Sequence, residues 1–416
     1  MQAVIAIPSR QTLQRQGAKE QALMQEVAGV PLLIRVIATA MRAGVDSILV
    51  ICPNDVDAFF WGKCVASGPL RSLKVAKLVW SRKFDPRMPA SWAAIAACLE
   101  DHFLWLPWNW VTHKQAIAGL STVPVRPLNW DFPTLIEKRV VLYGTWVRVG
   151  SEPPVDGVRI TSRTDAGRAD RFLVAHSGKP LDGIYSKFNR LLCRPAVRLL
   201  THTRATPNWV TIGGLVVAIL ASFMFARGSY ANYVGGALLF FLSGLFDEMD
   251  GMLARIKFTE SAFGTWFEGF VDNATYLLVF SGLTVGLYRE RGAHELIYGL
   301  ALIVGCALSI VVIAWQRKIS TAPDRPYEYV GRLNRLLEAD SSNLLSRVVR
   351  QIHIFIKKGV AIHYLLLFTL FGELPVFLRL AALGANLTWM FSLYFSRRFF
   401  FRRPRPSRSA GVRTAA

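Results

Sequence analysis

Only five of the 416 residues are cysteine: Cys52, Cys64, Cys98, Cys193 and Cys306. They are scattered and form no C-x-x-C pair, which excludes a disulfide framework and a cysteine-built zinc site; free thiols are expected. The seven histidines are equally dispersed. The opening residues, MQAVIAIPSR, lack a basic segment followed by a long apolar run, so no secretory signal is expected and the first part of the chain should stay in the cytoplasm. Negative charge is also scarce, with 28 acidic residues against 49 basic ones and a formal net charge of +21. Long apolar runs are missing from residues 1–205, where short ones alternate with charges.

From Trp209 onward the pattern inverts, and long apolar runs with few charges dominate. The first half therefore reads as soluble and the second as membrane-embedded. Six spans are expected, roughly 209–226, 232–253, 265–287, 295–316, 359–372 and 375–395. The basic residues lie at their flanks: Arg190, Arg194, Arg198 and Arg204 before the first, Arg397, Arg398, Arg402 and Arg403 after the last. That placement suits an anionic lipid surface, and no nucleic acid partner is expected. Arg255 and Lys257 lie between spans two and three, and nine basic residues run from Arg317 to Lys358 between spans four and five. The other loops hold Arg227, then Arg289 and Arg291, then none. The bias puts the basic-rich loops and both termini in the cytoplasm. Residues 336–358 read as a basic surface helix plus loop.

Residues 2–7 read as a buried strand, Val30–Ala43 as a helix and Ser47–Ile51 as a second strand. That is a βαβ unit, which implies a parallel sheet. Further strands are expected near Lys77–Trp80, Phe103–Leu106 and Val140–Tyr143. The fold class is thus two-domain: an α/β parallel-sheet domain over 1–150 and a six-helix transmembrane α-bundle over 206–400. Residues 151–178 are polar and read as a linker, and 401–416 as a basic tail. Residues 179–205 are amphipathic, with Leu181, Ile184, Tyr185, Phe188, Leu191 and Leu192 on one face and Pro195 expected to kink or restart the helix. This helix reads as lying on the membrane surface; packing between domains is the alternative.

Four carboxylates interrupt the oily half. Asp247, Asp250, Gly251 and Ala254 share a helical sector of about 100°. Glu268 and Asp272 stand four residues apart on the next span, with Gly264 one turn earlier. Two helices can therefore bring four carboxylates together, with small residues leaving room beside them. A carboxylate deep in a span costs roughly 2.5–3.5 kcal/mol. Four cost on the order of 10 kcal/mol before their mutual repulsion is counted. Arg255 can neutralise one of them. Hard divalent cations, which take oxygen ligands, are the direct compensation.

The same stretch resembles the signature of the CDP-alcohol phosphotransferases, D-x-x-D-G-x-x-A-R, eight residues, then G-x-x-x-D-x-x-x-D. Asp247, Asp250, Gly251, Ala254, Arg255, Gly264 and Asp272 fit it. Glu268 stands where the family has a third Asp, keeping the carboxylate on a longer arm. The resemblance covers about 180–400, including Thr206-Pro207-Asn208-Trp209-Val210-Thr211 at the entrance to span one. It implies two Mg²⁺ or Mn²⁺ ions held by Asp247, Asp250, Glu268 and Asp272, with Asp272 also the general base. Asn208, Thr211, Gly251, Ala254, Arg255 and Gly264 would line the nucleotide pocket. The implied reaction moves a phospho-alcohol group from a CDP-alcohol to an acceptor hydroxyl and releases CMP. The acceptor is an alcohol or a polyol phosphate; a phospholipid synthase using CDP-diacylglycerol is the alternative, and a non-catalytic scaffold a further one. Arg317, Lys318, Lys357 and Lys358 are candidates for an acceptor phosphate, or plain cytoplasmic anchors. Membrane lipid and a homodimeric partner are also implied, as is an inner-membrane location if the source is bacterial.

The stretch Val27-Ala28-Gly29-Val30-Pro31 to Ile51 resembles the sugar nucleotidyltransferases, of the kind fused to this membrane domain in bifunctional inositol-phosphate cytidylyltransferase/transferase proteins. Such enzymes cradle nucleotide phosphates in a Gly-rich loop after the first strand. Here that loop, Ile7–Thr12, holds no glycine before Gly17, and Asn109 stands where a metal-binding Asp is expected. The domain therefore reads as an inactive relative. Lys19 is a remnant phosphate contact or a solvated surface residue. Trp105, Trp108 and Trp110 alternate as a strand does, and make either a ligand platform or a buried sheet face.

Overall fold

The protein is described by a computed structural model that covers residues 1–8, 25–53, 75–80, 84–120, 130–144, 156–178, 183–320 and 358–401. The loop at Ser9–Thr12 with Arg10, Lys19, Cys64, all but Lys358 of the helix and loop expected over 336–358, and the tail beyond 401 lie outside the described residues. The chain divides into two compact units. The first is Met1–Asp182 with Arg190–Pro207 and Gly251–Glu260; the second is Gly183–Asn189, Asn208–Asp250 and Ser261–Ala416.

In the first unit, β1 (Gln2–Ala6) is followed by a two-stranded hairpin, β2 (Glu26–Val27) and β3 (Val30–Pro31), then α1 (Leu32–Arg42) and β4 (Ser47–Pro53). Next come β5 (Val75–Trp80), α2 (Pro89–Ala93), β6 (His102–Trp105), β7 (Trp110–Thr112) and α3 (Lys114–Leu120). The last elements wholly inside it are β8 (Thr134–Glu137), α4 (Lys138–Tyr143), β9 (Gly157–Arg159) and α5 (Arg163–Ala175). The main sheet runs β5-β4-β1-β6-β8. Its first four strands are parallel, and β8 joins antiparallel to β6. β1 and β4 are almost continuously apolar because both their faces are covered. One face packs Val4, Leu49, Phe103 and Ile136 around the fully buried Trp92.

Two local expectations are corrected here. Val140–Tyr143 is helical, the sheet's edge strand being β8 just before it. The β-branched pair suggests a strand, yet only Val141 in this helix is buried, and Gly144, at φ 65°, ends the turn left-handed. The polar stretch read as a linker contains β9 and the 13-residue α5. A reciprocal cap starts α5: the Ser162 hydroxyl accepts from the Asp165 amide, while the Asp165 carboxylate accepts from the Ser162 amide.

The remaining helices are α6 (Ile184–Thr201), α7 (Pro207–Arg227), α8 (Tyr230–Lys257), α9 (Ala262–Arg291), α10 (Ala293–Ser320), α11 (Lys358–Leu370) and α12 (Leu374–Phe401). Pro195 lies inside α6, which neither stops nor restarts there. Ile184, Phe188, Leu191, Leu192 and Leu199 on α6 are exposed. Among the described residues, four helices are long and apolar enough to cross a membrane: α7, α9, α10 over Ala293–Gln316 and α12 over Leu374–Tyr394. The expected second span, α8, is diluted by charges in its last turns, and the apolar part of α11, Val360–Leu370, is short. The core of the second unit is built from Phe225, Phe240, Val279, Leu283, Leu365 and Leu378.

Candidate functional site

Helix α7 meets α8 through glycine. A Cβ on Gly213 or Gly214 would come within 3.0 Å of the Phe246 side chain, so the two backbones approach closely only because none is there. The Ser243 hydroxyl donates to the Gly214 carbonyl at 2.9 Å and fixes the register. One turn before Gly214 on α7 and two turns after Ser243 on α8, the Thr211 hydroxyl donates to Asp250 Oδ2 at 2.5 Å. Asp250 is 3 % exposed, and a carboxylate so buried must be held by donors or by a cation.

Helix α8 supplies Asp247 as well as Asp250, and α9 supplies Glu268. One carboxylate oxygen from each of the three lies within 4.8 Å of the other two. The extra methylene of Glu268 therefore does not remove it from the cluster. Asp272, one turn further along α9, lines the same cleft as Asp247, Asp250 and Thr211. Three hard oxygen donors at this spacing suit a divalent cation of the Mg²⁺ or Mn²⁺ class, and their mutual repulsion is relieved by one.

Asn208 stands at the start of α7 with its side-chain oxygen 3.6 Å from where a Gly264 Cβ would project. The Ser261 hydroxyl caps α9 by accepting from the Gly264 amide at 2.9 Å. Gly251, Ala254 and Arg255 continue α8 past Asp250. The Arg255 guanidinium lies over Gly251, where a Cβ would be 3.2 Å from Nη1, and Nε donates to the Ser177 carbonyl at 2.6 Å. Lys318 is exposed at the end of α10; Lys357 and the side chains of Arg317 and Lys358 lie outside the described residues.

The cleft is also lined by Ser243, Thr275 and Tyr276, which the sequence reading did not select. The signal was helical spacing: Ser243 is four residues before Asp247, and Thr275 and Tyr276 are three and four after Asp272.

In the first unit, Asn109 is buried and its amide donates to the Ile160 carbonyl at 3.0 Å, a bond a carboxylate cannot make. Trp105 and Trp110 are buried and pack on aromatic neighbours, Trp92, Trp130 and Phe132. Trp105 belongs to the core of the main sheet, Trp110 is buried on the separate β7–β9 pair, and Trp108 between them is half-buried.

Residues 204–394 match the family model of the CDP-alcohol phosphatidyltransferases. With four helices able to cross a bilayer, it is an integral membrane protein. Over 79 residues the chain is 34 % identical to archaetidylinositol phosphate synthase of Methanothermobacter thermautotrophicus. That alignment covers 19 % of this chain and 39 % of the relative, so the chain spans about two fifths of that protein's length. A nucleotidyl transferase of the same organism covers 41 % of this chain and 97 % of its own at 15 % identity, with a TM-score of 0.29.

Proposed function

We propose that the protein is a membrane CDP-alcohol phosphotransferase. It would move a phospho-alcohol group from a CDP-alcohol to an acceptor hydroxyl and release CMP. The observation that carries this reading is the convergence of Asp247, Asp250 and Glu268 within 4.8 Å, with Asp272 on the same cleft. Asp247, Asp250, Glu268 and Asp272 would hold two divalent ions, Mg²⁺ or Mn²⁺. When bound, these neutralise the donor diphosphate and the charge on the departing phosphate. Asp272 takes the proton of the acceptor hydroxyl, whose oxygen bonds to the β-phosphorus. The bond from that phosphorus to the bridging oxygen breaks, and CMP leaves with the electron pair. Thr211 orients Asp250 through its hydroxyl. Asn208, Gly251, Ala254, Arg255 and Gly264 would shape the nucleotide side, and Lys318 with its basic neighbours would meet an acceptor phosphate.

Six spans with both termini cytoplasmic, α6 on the membrane surface and a homodimeric assembly complete the reading. The sheet domain that opens the chain would carry out no nucleotidyl transfer. We assign the acceptor to the polyol phosphates. A lipid donor is the second reading, favoured by the relative whose name specifies an archaetidylinositol phosphate product. The test is a product assay on purified protein with radiolabelled CDP-alcohols, soluble and lipid, against a panel of acceptors. CMP release should require Mg²⁺ or Mn²⁺ and vanish in a folded Asp250→Asn protein. Wild-type turnover by that variant at saturating Mg²⁺ would sink the metal assignment, and no CMP from any donor would leave the non-catalytic scaffold.

A further inference from the structure

Inside the first unit, the sheet domain is joined by two segments remote in sequence, Arg190–Pro207 and Gly251–Glu260. The second is the end of α8 and the turn into α9. It separates Asp250 from Glu268, and so it joins the two helices that carry the carboxylates.

The contacts on this turn are dense and specific. Arg42, at the end of α1, pairs with Glu260 at 2.6 Å and donates to the Arg255 carbonyl at 3.3 Å. The guanidinium groups of Arg35 and Arg42 lie over the Phe258 ring, 5.1 and 4.7 Å from its centre. Phe258 has φ +59°, a left-handed conformation that a bulky residue keeps only when its surroundings over-determine it. Lys257 Nζ donates to the carbonyls of Thr203 and Ala205 at 2.7 and 3.1 Å. Gly29, at φ +75°, packs against the Thr201 carbonyl where any Cβ would collide.

Of the residues making these contacts, Gly29, Arg35 and Arg42 belong to the Val27–Ile51 stretch that resembles a nucleotidyltransferase. Arg35 is 1 % exposed and donates to the carbonyls of Val27 and Ala28. The buried Asp170 accepts from the Ala28 amide at 2.7 Å and pairs with His202 at 2.9 Å. The Val27–Pro31 turn is therefore engaged with the chain's own residues.

We propose that the first domain acts as a clamp on the α8–α9 turn, and through it sets the spacing of Asp247 and Asp250 against Glu268 and Asp272. Arg42, Arg35 and Phe258 are positioning residues. The consequence for the carboxylates rests on the function proposed above. The physical lever is geometric: ligands displaced by about 1 Å lose on the order of 10²-fold in rate, and a turn held at both ends keeps two long helices in one register.

The test uses the full-length protein in detergent, with Arg42→Glu facing Glu260 and the swap Arg42→Glu/Glu260→Arg. Hydrogen exchange reads the turn, and Mn²⁺ binding by electron paramagnetic resonance reads the carboxylates without requiring turnover. Arg42→Glu should speed exchange at 258–261 by about tenfold and raise the Mn²⁺ half-saturation by about tenfold, as loss of a supporting group does at metal sites. The swap should recover most of both. If Arg42→Glu also exposes the β1 and β4 amides, Glu260→Arg, on the exposed partner, creates the same repulsion and carries the test. Unchanged exchange at the turn overturns the clamp. Faster exchange with unchanged Mn²⁺ affinity overturns its link to the carboxylates. Wild-type protein that binds no Mn²⁺ would sink the proposed function, while the exchange data still decide the clamp.

Discussion

At the scale of single residues, the question is what holds four carboxylates in an apolar half. Thr211 gives a partial answer, because its hydroxyl bonds the most buried of them. A hydrogen bond to a charged group contributes about 1.5–3 kcal/mol, and the partners that orient a metal ligand are worth about 10–100-fold in affinity. Thr211→Val keeps the shape and removes the donor. We expect it to weaken Mn²⁺ binding by at least about tenfold, whereas Thr211→Ser retains the bond and near-wild-type affinity. A titration that finds Val and Ser variants alike would show that Asp250 is held by something else. Glu268 admits a similar test. Its carboxylate is within reach of Asp247 and Asp250, so Glu268→Asp should keep substantial CMP release and Glu268→Gln should lose most of it. Equal metal use by the Gln variant and wild type would drop this position from the site.

At the scale of elements, polar bonds spaced along two apolar helices fix how α10 meets α12. Arg379 pairs with Glu295 at 2.7 Å, Asn386 donates to the Ala301 carbonyl at 2.9 Å, and Ser309 donates to the Ala385 carbonyl at 3.0 Å. Gln316 closes the row on the Ser392 carbonyl at 2.5 Å. Between lipid-facing helices such bonds are worth about 0.6–2 kcal/mol each, and close backbone approach supplies the rest. Gly305 provides that approach: a Cβ there would meet the Asn386 amide nitrogen at 2.8 Å. Gly305→Ala should lower the melting temperature in detergent more than Gly384→Ala, a site on α12 with open space. Equal melting would mean that the helices do not meet at this point.

In the first unit, His113 precedes α3, and its Nδ1 accepts from the Ala116 amide at 3.3 Å. It stacks on His176 with ring centres 4.8 Å apart. Burial first, and then the neighbouring His176, pull its pKa below 6.5. The folded state thus favours the neutral ring. Its contribution is complete above pH 6.5 and is lost as pH falls through the lower folded value. Melting temperature should drop from pH 7 to 5 with a slope that His113→Gln reduces; an unchanged slope would assign acid sensitivity to other groups.

At the scale of the whole molecule, legibility followed how local the signal was. The carboxylate pairs were legible because helical spacing is a strict rule, and the sheet because β1 and β4 are apolar on both faces. Helix α5 was not: its buried face is short and includes Asp165 and Asp170, so polarity hid a cap visible as Ser162-x-x-Asp165. The role of Arg42 was not legible either, since its partner Glu260 is 218 positions away and only the fold brings them together.

The same view decides what the first domain should fail to do. Nucleotidyl transfer needs a metal to neutralise a triphosphate and backbone amides to hold it for attack. Asn109 uses its amide on Ile160, and Arg35 uses its guanidinium on Val27 and Ala28. Neither is placed as an acidic ligand or as a phosphate donor. The loop after β1 has no glycine before Gly17. One lost contact costs a few kcal/mol; two on the same step should cost about 10⁴-fold or more in rate. The full-length protein should therefore release no pyrophosphate from CTP with any sugar or polyol phosphate, while still releasing CMP from a supplied CDP-alcohol. Brisk pyrophosphate release, abolished by replacing Arg10 or Lys19, would make the protein bifunctional and return the first domain to catalysis.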